Sequence, residues 1–234
     1  MKKKIFIVAL VVCIMAISIA SASIAYFTDI ESATNTFTSG NVDIKLYEIN
    51  DDGDETLITD MANSLVYENK YPGQSVEKNP TIKNVANDAA YVAGIITLGS
   101  GDSADITTLL TDDDAVKAFL AGGALNAANG YNTKIVRDTA AKTITIYIIA
   151  TDAVAKDGVV VLFENVVIPA KWDSAQMAKF ANLTIGVKAY AVQTAGFEAD
   201  TANGLTAAEV AIKAAFGGGE NANGISDFAP YFVA

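Results

Sequence analysis

The chain has 234 residues, with 27 acidic and 16 basic side chains, no histidine, one cysteine and a formal net charge of −11 at pH 7. Without histidine the chain cannot build a Ser-His-Asp or Cys-His hydrolase site, an H-E-x-x-H zinc site or an imidazole general base. The acidic balance argues against nucleic acid and anionic lipid as partners, because their phosphates would repel the protein.

The first 25 residues predict an export signal. Residues 2–4 are lysines, residues 5–20 are mostly apolar, and small residues stand at Ser23 and Ala25. This arrangement is typical of a signal peptide that a peptidase removes after the second small residue. We therefore expect a secreted protein whose signal peptide is residues 1–25.

The junction leaves several alternatives open. Cleavage between Ala25 and Tyr26 is expected, and cleavage after Tyr26 would shift the new terminus by one residue. An uncleaved anchor is the main rival, since the apolar run approaches the ~20 residues that span a bilayer. A lipid-modified Cys13 is disfavoured by the bulky Val12 before it.

The remaining 209 residues would contain no cysteine, and with 13 basic and 27 acidic residues they would have a net charge of −14. Without disulfides, stability must come from an apolar core, a metal or assembly. The length suits one sizeable domain. We expect residues 26–40 to form an N-terminal arm and residues 41–234 to form a single domain.

Alternation of apolar and polar residues predicts strands along most of that domain. Seven or eight strands without regular intervening helices favour an all-β fold, an antiparallel jelly-roll-like β-sandwich, over a Rossmann-like fold. The stretch 159–163 is apolar on both faces, which predicts a central strand. The predicted runs lie at 42–46, 74–86, 89–98, 131–138, 143–148, 158–168 and 183–191.

Two short helices are expected to decorate the sandwich. Residues 112–114 are aspartates that can cap a helix ending at Leu120 and stabilise the positive end of its dipole. Thr206 and Glu209 form a capping box for a second helix that ends at Phe216, before three glycines.

An acidic turn follows the strand that begins near residue 42. Asp51, Asp52, Asp54 and Glu55 could supply oxygen ligands to Ca²⁺, although the spacing is not that of an EF-hand. The alternative is an acidic turn in which Gly53 supplies the turn conformation. No other cofactor is indicated.

Two further motifs are interpreted as structural. Residues 99–103 lack the lysine of a phosphate-binding loop and the spacing of a nucleophile elbow, which favours a surface loop. Trp172, the single tryptophan, is expected to be an aromatic plug over one end of the sandwich.

The N-terminal region carries a recognisable pattern. It consists of Ala25-Tyr26-Phe27-Thr28-Asp29 followed by Asn35-Thr36-Phe37-Thr38-Ser39-Gly40-Asn41-Val42-Asp43-Ile44. This pattern resembles the TasA / camelysin (CalY) family of Gram-positive bacteria, whose members are processed by a signal peptidase of the SipW type. Looser likeness extends over residues 71–74, 163–172 and 189–193.

The resemblance implies a jelly-roll subunit of extracellular biofilm-matrix or cell-surface fibres. In such fibres the freed N-terminal arm of one subunit adds as a strand to the next. Here Tyr26, Phe27, Ile30 and Phe37 are the apolar residues that an arm could insert. The implied partners are other copies of the chain in a head-to-tail polymer, the signal peptidase and an accessory protein that nucleates fibres.

Two other functions stay open. One is a monomeric surface binding module, Ca²⁺-dependent through the acidic turn. The other is a metallopeptidase of the camelysin type, which the absence of histidine disfavours because a carboxylate-only site suits Ca²⁺ or Mg²⁺ better than zinc. A non-enzymatic structural protein is the leading hypothesis.

Overall fold

The fold is described from a computed structural model, which covers residues 28–31, 42–49, 55–57, 71–100, 105–180, 183–218 and 225–233. Most of the regular structure in these ranges is β-strand, and every strand pairing is antiparallel. The prediction of an all-β protein is confirmed.

Twelve strands lie within the described residues. They are β1 (Thr28–Glu31), β2 (Ile44–Ile49), β3 (Glu55–Leu57), β4 (Ser75–Glu77), β5 (Thr81–Asn84), β6 (Ala90–Ser100), β7 (Leu120–Ala121), β8 (Tyr131–Asp138), β9 (Thr143–Ala150), β10 (Val159–Val161), β11 (Asn165–Val167) and β12 (Leu183–Gln193). The same residues contain six short helices. They are α1 (Ile106–Leu109), α2 (Asp113–Phe119), α3 (Gly123–Asn126), α4 (Ser174–Phe180), α5 (Ala207–Phe216) and α6 (Ala229–Phe232).

The strands form three sheets. The largest has the order β1-β12-β6-β9-β8, a second has the order β10-β5-β2-β3, and a third has the order β4-β11-β7. The ladder between β12 and β6 is the longest pairing in the first sheet. It runs without a break from Leu183 opposite Ser100 to Gln193 opposite Ala90.

One apolar core lies between the five-stranded sheet and the two smaller sheets, and residues of all three sheets contribute to it. Period-two alternation explains which side chains enter it. Ile144, Ile146 and Ile148 of β9 point into this core, whereas Tyr147 and Ile149 point to the opposite face of the sheet. In β12, Leu183, Ile185, Ala189 and Ala191 enter the same core, so the alternation that predicted strands at 143–148 and 183–191 also determines which of their side chains are buried there.

The predicted strands at 74–86 and 158–168 are each two strands, because both runs pass together from one sheet to another. β4 pairs with β11 and β5 pairs with β10. Between these pairs, Lys78 N–H donates to the Glu164 carbonyl at 3.0 Å and Leu162 N–H donates to the Pro80 carbonyl at 2.9 Å.

The prediction of a central strand at 159–163 is wrong. β10 spans only the first three of these residues, lies at the edge of its sheet among the described strands, and leaves Val159 52% exposed. Leu162 and Phe163 are fully buried, but they follow the strand and enter the core from the connection to β11.

Both predicted helices are present with the expected caps. The Asp112 carboxylate accepts from the Ala115 N–H at 2.7 Å at the start of α2, and Thr206 and Glu209 form the capping box of α5. α1, α3, α4 and α6 are additional helices of four to seven residues that the sequence patterns did not predict.

Asn84, the last residue of β5, joins the loop that follows this strand to the backbone of Val154. Its side chain is fully buried, donates to the carbonyls of Asp88 (2.9 Å) and Val154 (2.8 Å), and accepts from the Ala86 N–H (3.0 Å). We expect Asn84→Ala to lower the free energy of unfolding by about 2–3 kcal/mol, because three backbone groups lose their partner. Urea unfolding measures this difference.

Asn87→Ala is the matched control, since Asn87 is exposed and bonds only the Lys156 ammonium among the contacts described. Its change in stability should stay within about 0.5 kcal/mol. Equal losses for the two variants would show that the buried hydrogen bonds of Asn84 contribute nothing.

Candidate acceptor edge and the outer face of the five-stranded sheet

The N-terminal strand β1 closes one edge of the five-stranded sheet. It runs antiparallel to β12, with Thr28 opposite Val192 and Glu31 opposite Ala189. Thus part of the predicted arm already occupies a strand position, and it does so on a strand from the same chain. The hydrogen bonds of such a ladder belong to the backbone, so β12 offers an acceptor edge to any strand of suitable sequence.

At the acceptor edge, β12 is buried on both faces where β1 pairs with it. Ala189 and Ala191 belong to the main core, while Tyr190 and Val192 belong to a second apolar cluster on the outer face of the sheet. All four are fully buried. Packing on both faces fixes the position of this part of β12 and of its hydrogen-bonding groups.

The second cluster is formed by the outer face of the sheet and two covering segments. The sheet supplies residues of β6, β9 and β12, and the cover consists of α5 and residues 225–233. Phe228 is its fully buried centre, with ring centroids 5.1 Å from Tyr190 and 5.5 Å from Tyr147. The buried members are Ala93, Ile95, Tyr147, Ile149, Tyr190, Val192, Ala208, Ala211, Ile212, Ala215, Phe216 and Phe228.

Asp227 attaches the covering segment to β12. Its carboxylate accepts a hydrogen bond from the Tyr190 hydroxyl and pairs with the Lys188 ammonium at 3.2 Å. Burial alone would raise the pKa of Asp227, but the hydrogen bonds from Tyr190 and Lys188 and the lysine charge outweigh it and lower that pKa. Burial, followed by the bond to Asp227, raises the pKa of Tyr190, so the hydroxyl keeps its proton.

Two side chains from outside the covering segment, those of Glu209 and Lys134, hold its end. The Tyr231 hydroxyl donates to Glu209 at 2.7 Å, and Glu209 also closes the capping box with Thr206. The Lys134 ammonium of β8 donates to the carbonyls of Tyr231 (3.0 Å) and Val233. Burial and the bond to Glu209 raise the pKa of Tyr231, so this phenol is also neutral.

A groove of about 680 Å³ runs between β8 and α6. Both basic side chains that line it are already bound to groups of the protein: Lys134 to the carbonyls named above, and Arg137 to Asp113 at 2.7 Å. No acid–base pair of a catalytic kind is assembled in the described part of this groove.

The predicted arm and cleavage residues are only partly covered by the structure. Ile30 lies in β1, opposite Tyr190 in the register. Ala25, Tyr26, Phe27 and Phe37 lie outside the described residues.

The predicted metal ligands are also largely outside the described ranges. Asp51, Asp52 and Asp54 are not described, and the backbone of Glu55 begins β3. Among the residues that the structure does describe, no group of three or more acidic, histidine or cysteine side chains could hold a metal ion. Within the same residues, no helix combines the length and the apolar character needed to cross a membrane.

Trp172 is buried against other aromatic rings, as expected for a packing role. It is 4% exposed and contacts Phe119 and Phe180, with ring centroids 6.1 Å and 5.5 Å away. Such packing leaves no face of the indole for a ligand.

The described fold and edge define a class: an all-β protein with three antiparallel sheets, whose largest sheet is closed at one edge by an N-terminal strand. Comparisons with protein-family models, with curated proteins and with solved structures give no match.

Proposed function

We propose that the chain is a secreted, non-enzymatic structural subunit that polymerises by exchange of its N-terminal arm into extracellular matrix or cell-surface fibres. In this proposal residues 1–25 are removed as a signal peptide and residues 41–234 form a jelly-roll-like domain. The supporting observation is the pairing of Thr28–Glu31 with the edge of β12. The resemblance of the N-terminal sequence to the TasA / camelysin family supports the same function.

The free-energy change of the exchange is small, because contacts within one chain are replaced by identical contacts between two chains. A β1 strand from a second copy would make the same main-chain hydrogen bonds to residues 189–192 that the chain's own strand makes. Residues 32–41 separate β1 from the described start of the domain, and ten residues can span about 33–36 Å when extended. Arm exchange from each copy to the next does not close on itself, so it produces a filament.

The protein's own chemistry is consistent with a structural role. Neither histidine nor, after cleavage, cysteine is available as a catalytic group. Four of the described titratable groups with altered pKa values, Tyr147 and Tyr190 on the sheet and Asp227 and Tyr231 on the covering segment, hold that segment to the outer face. These groups are used for packing and attachment.

Cross-linking between chains tests the exchange directly. We expect a Thr28→Cys chain mixed with a Val192→Cys chain, both beginning at residue 26, to form a disulfide-linked dimer containing one of each. The two positions are partners in the ladder, and directly opposed residues lie about 4.5–5.5 Å apart, within disulfide range. Mass spectrometry of the non-reduced product identifies the pair.

The neighbouring partners Asp29 and Ala191 give a second pair of variants, because alternate positions in a ladder differ in spacing. Thr28→Cys mixed with Thr139→Cys is the control, since Thr139 is exposed in the turn after β8, the strand at the opposite edge of the sheet. The proposal is wrong if the ladder pairs cross-link only when both cysteines are placed in one chain.

A further inference from the structure

Residues 225–233 form a distinct attachment on the five-stranded sheet, which we call the clasp. Its side chains pack on the outer face only, in a cluster separate from the main core between the sheets. Phe228 fills the centre of that cluster, and its N–H donates to the Phe216 carbonyl at the end of α5 at 2.9 Å. Loss of the clasp therefore removes no side chain from the core that joins the three sheets.

The clasp is held to the sheet by charged contacts at both ends. Asp227, at the start, bonds Tyr190 and Lys188 of β12. At its other end, Lys134 of β8 donates to the carbonyls of Tyr231 and Val233. The clasp thus spans the sheet from the strand that receives β1 to the strand at the opposite edge.

Asp227 makes the clasp contact that depends on pH. The titratable groups facing it are Lys188 and Tyr190 on β12 and Tyr147 on β9. Its pKa is lowered, so its contribution to holding the clasp is complete above the ordinary aspartate pKa and is lost as pH falls through the lower value of the folded protein. Protonation also removes the attraction to Lys188 and the charge-assisted bond from Tyr190.

We propose that the clasp opens as a unit while the three sheets stay folded, and that the Asp227 carboxylate controls this opening. Regions with few ties to the main core open below the global unfolding free energy. Opening uncovers the two rings that Phe228 contacts, those of Tyr147 and Tyr190. Tyr190 lies opposite Ile30 of β1, so opening also removes packing from the acceptor edge.

Hydrogen exchange on the full-length chain tests this proposal. The reporters are the amides of Phe228, Ala229 and Tyr231, which are bonded within the clasp or to α5, and the reference amides are those of the ladder between β6 and β9. Asp227→Asn should lower the reporters' protection factors by about tenfold at neutral pH and leave the reference unchanged. In the wild type the same loss should develop as the pH is taken progressively below the ordinary aspartate pKa of about 3.9, because the pKa of Asp227 in the folded protein lies lower than that.

Tyr190→Phe keeps the ring and removes only the hydroxyl donor to Asp227, so it should give a smaller loss with the same selectivity. Asp152→Asn, an exposed carboxylate outside the clasp, should leave the reporters unchanged. The proposal is overturned if reporters and reference lose protection together, or if Asp227→Asn matches the wild type at every pH.

Discussion

A chain that begins at Val42 is expected to form no fibres, whereas the chain of residues 26–234 forms them at the same concentration. The shorter chain lacks β1, so it can supply no strand to the β12 edge of another copy. In the shorter chain, the main-chain groups of residues 189–192 lose the partners that β1 supplies. Electron microscopy and sedimentation of the two chains measure the difference.

A synthetic peptide of residues 26–41 is the control for this experiment. Added to the shorter chain, it should bind the vacated edge and leave the protein monomeric, because the peptide is not attached to a second domain. Circular dichroism verifies that the shorter chain keeps its β structure. If both chains stay monomeric at high concentration, with and without Ca²⁺, the proposed function is wrong. Fibres from both would place the assembly contact elsewhere.

The main core was predictable from sequence because burial on one face imposes period two on a strand. Ile144, Ile146 and Ile148 satisfy that rule and lie in the core. The rule failed at 159–163, where five consecutive apolar residues indicated a central strand. Local pattern does not distinguish a strand buried on both faces from a short edge strand followed by two core residues. Leu162 and Phe163 are buried by the connection, not by a ladder.

The outer-face cluster was not predictable in the same way. The capping box of α5 is local, with partners three residues apart, and could be read directly. The bond between Tyr190 and Asp227 joins positions 37 residues apart, and nothing in either neighbourhood requires the other. One signal was present: Phe228, Tyr231 and Phe232 concentrate aromatic residues after a glycine-rich stretch. Such a concentration indicates packing but not the surface that is packed.

Sequence patterns do not determine whether β1 pairs within its own chain or with another copy. The sequence of residues 28–31 predicts neither outcome, because the hydrogen bonds to β12 are the same in both. Linker length and protein concentration decide between them. The resemblance suggested exchange, while the single chain shows the strand on its own edge.

The largest effect expected on stability comes from Gly123→Ala. Gly123 has a φ of 60°, and a Cβ there would lie 2.7 Å from the Val161 carbonyl oxygen and 2.8 Å from the Phe163 Cα. Both obstacles are backbone atoms, so a side-chain rotation cannot relieve the contact. We expect a loss of about 3 kcal/mol or more, combining the cost of a left-handed residue with that of overpacking.

Gly130→Ala separates these two causes. Gly130 also has a positive φ, 88°, but a Cβ there meets no atom within 4 Å. Its substitution should therefore cost only the conformational part, about 1–2 kcal/mol. Urea unfolding followed by fluorescence of the buried Trp172 measures both variants in one assay. Equal losses would mean that the connection between β10 and β11 moves freely away from α3. A larger loss at Gly123 would show that this connection, which carries Leu162 and Phe163 into the core, is fixed in position.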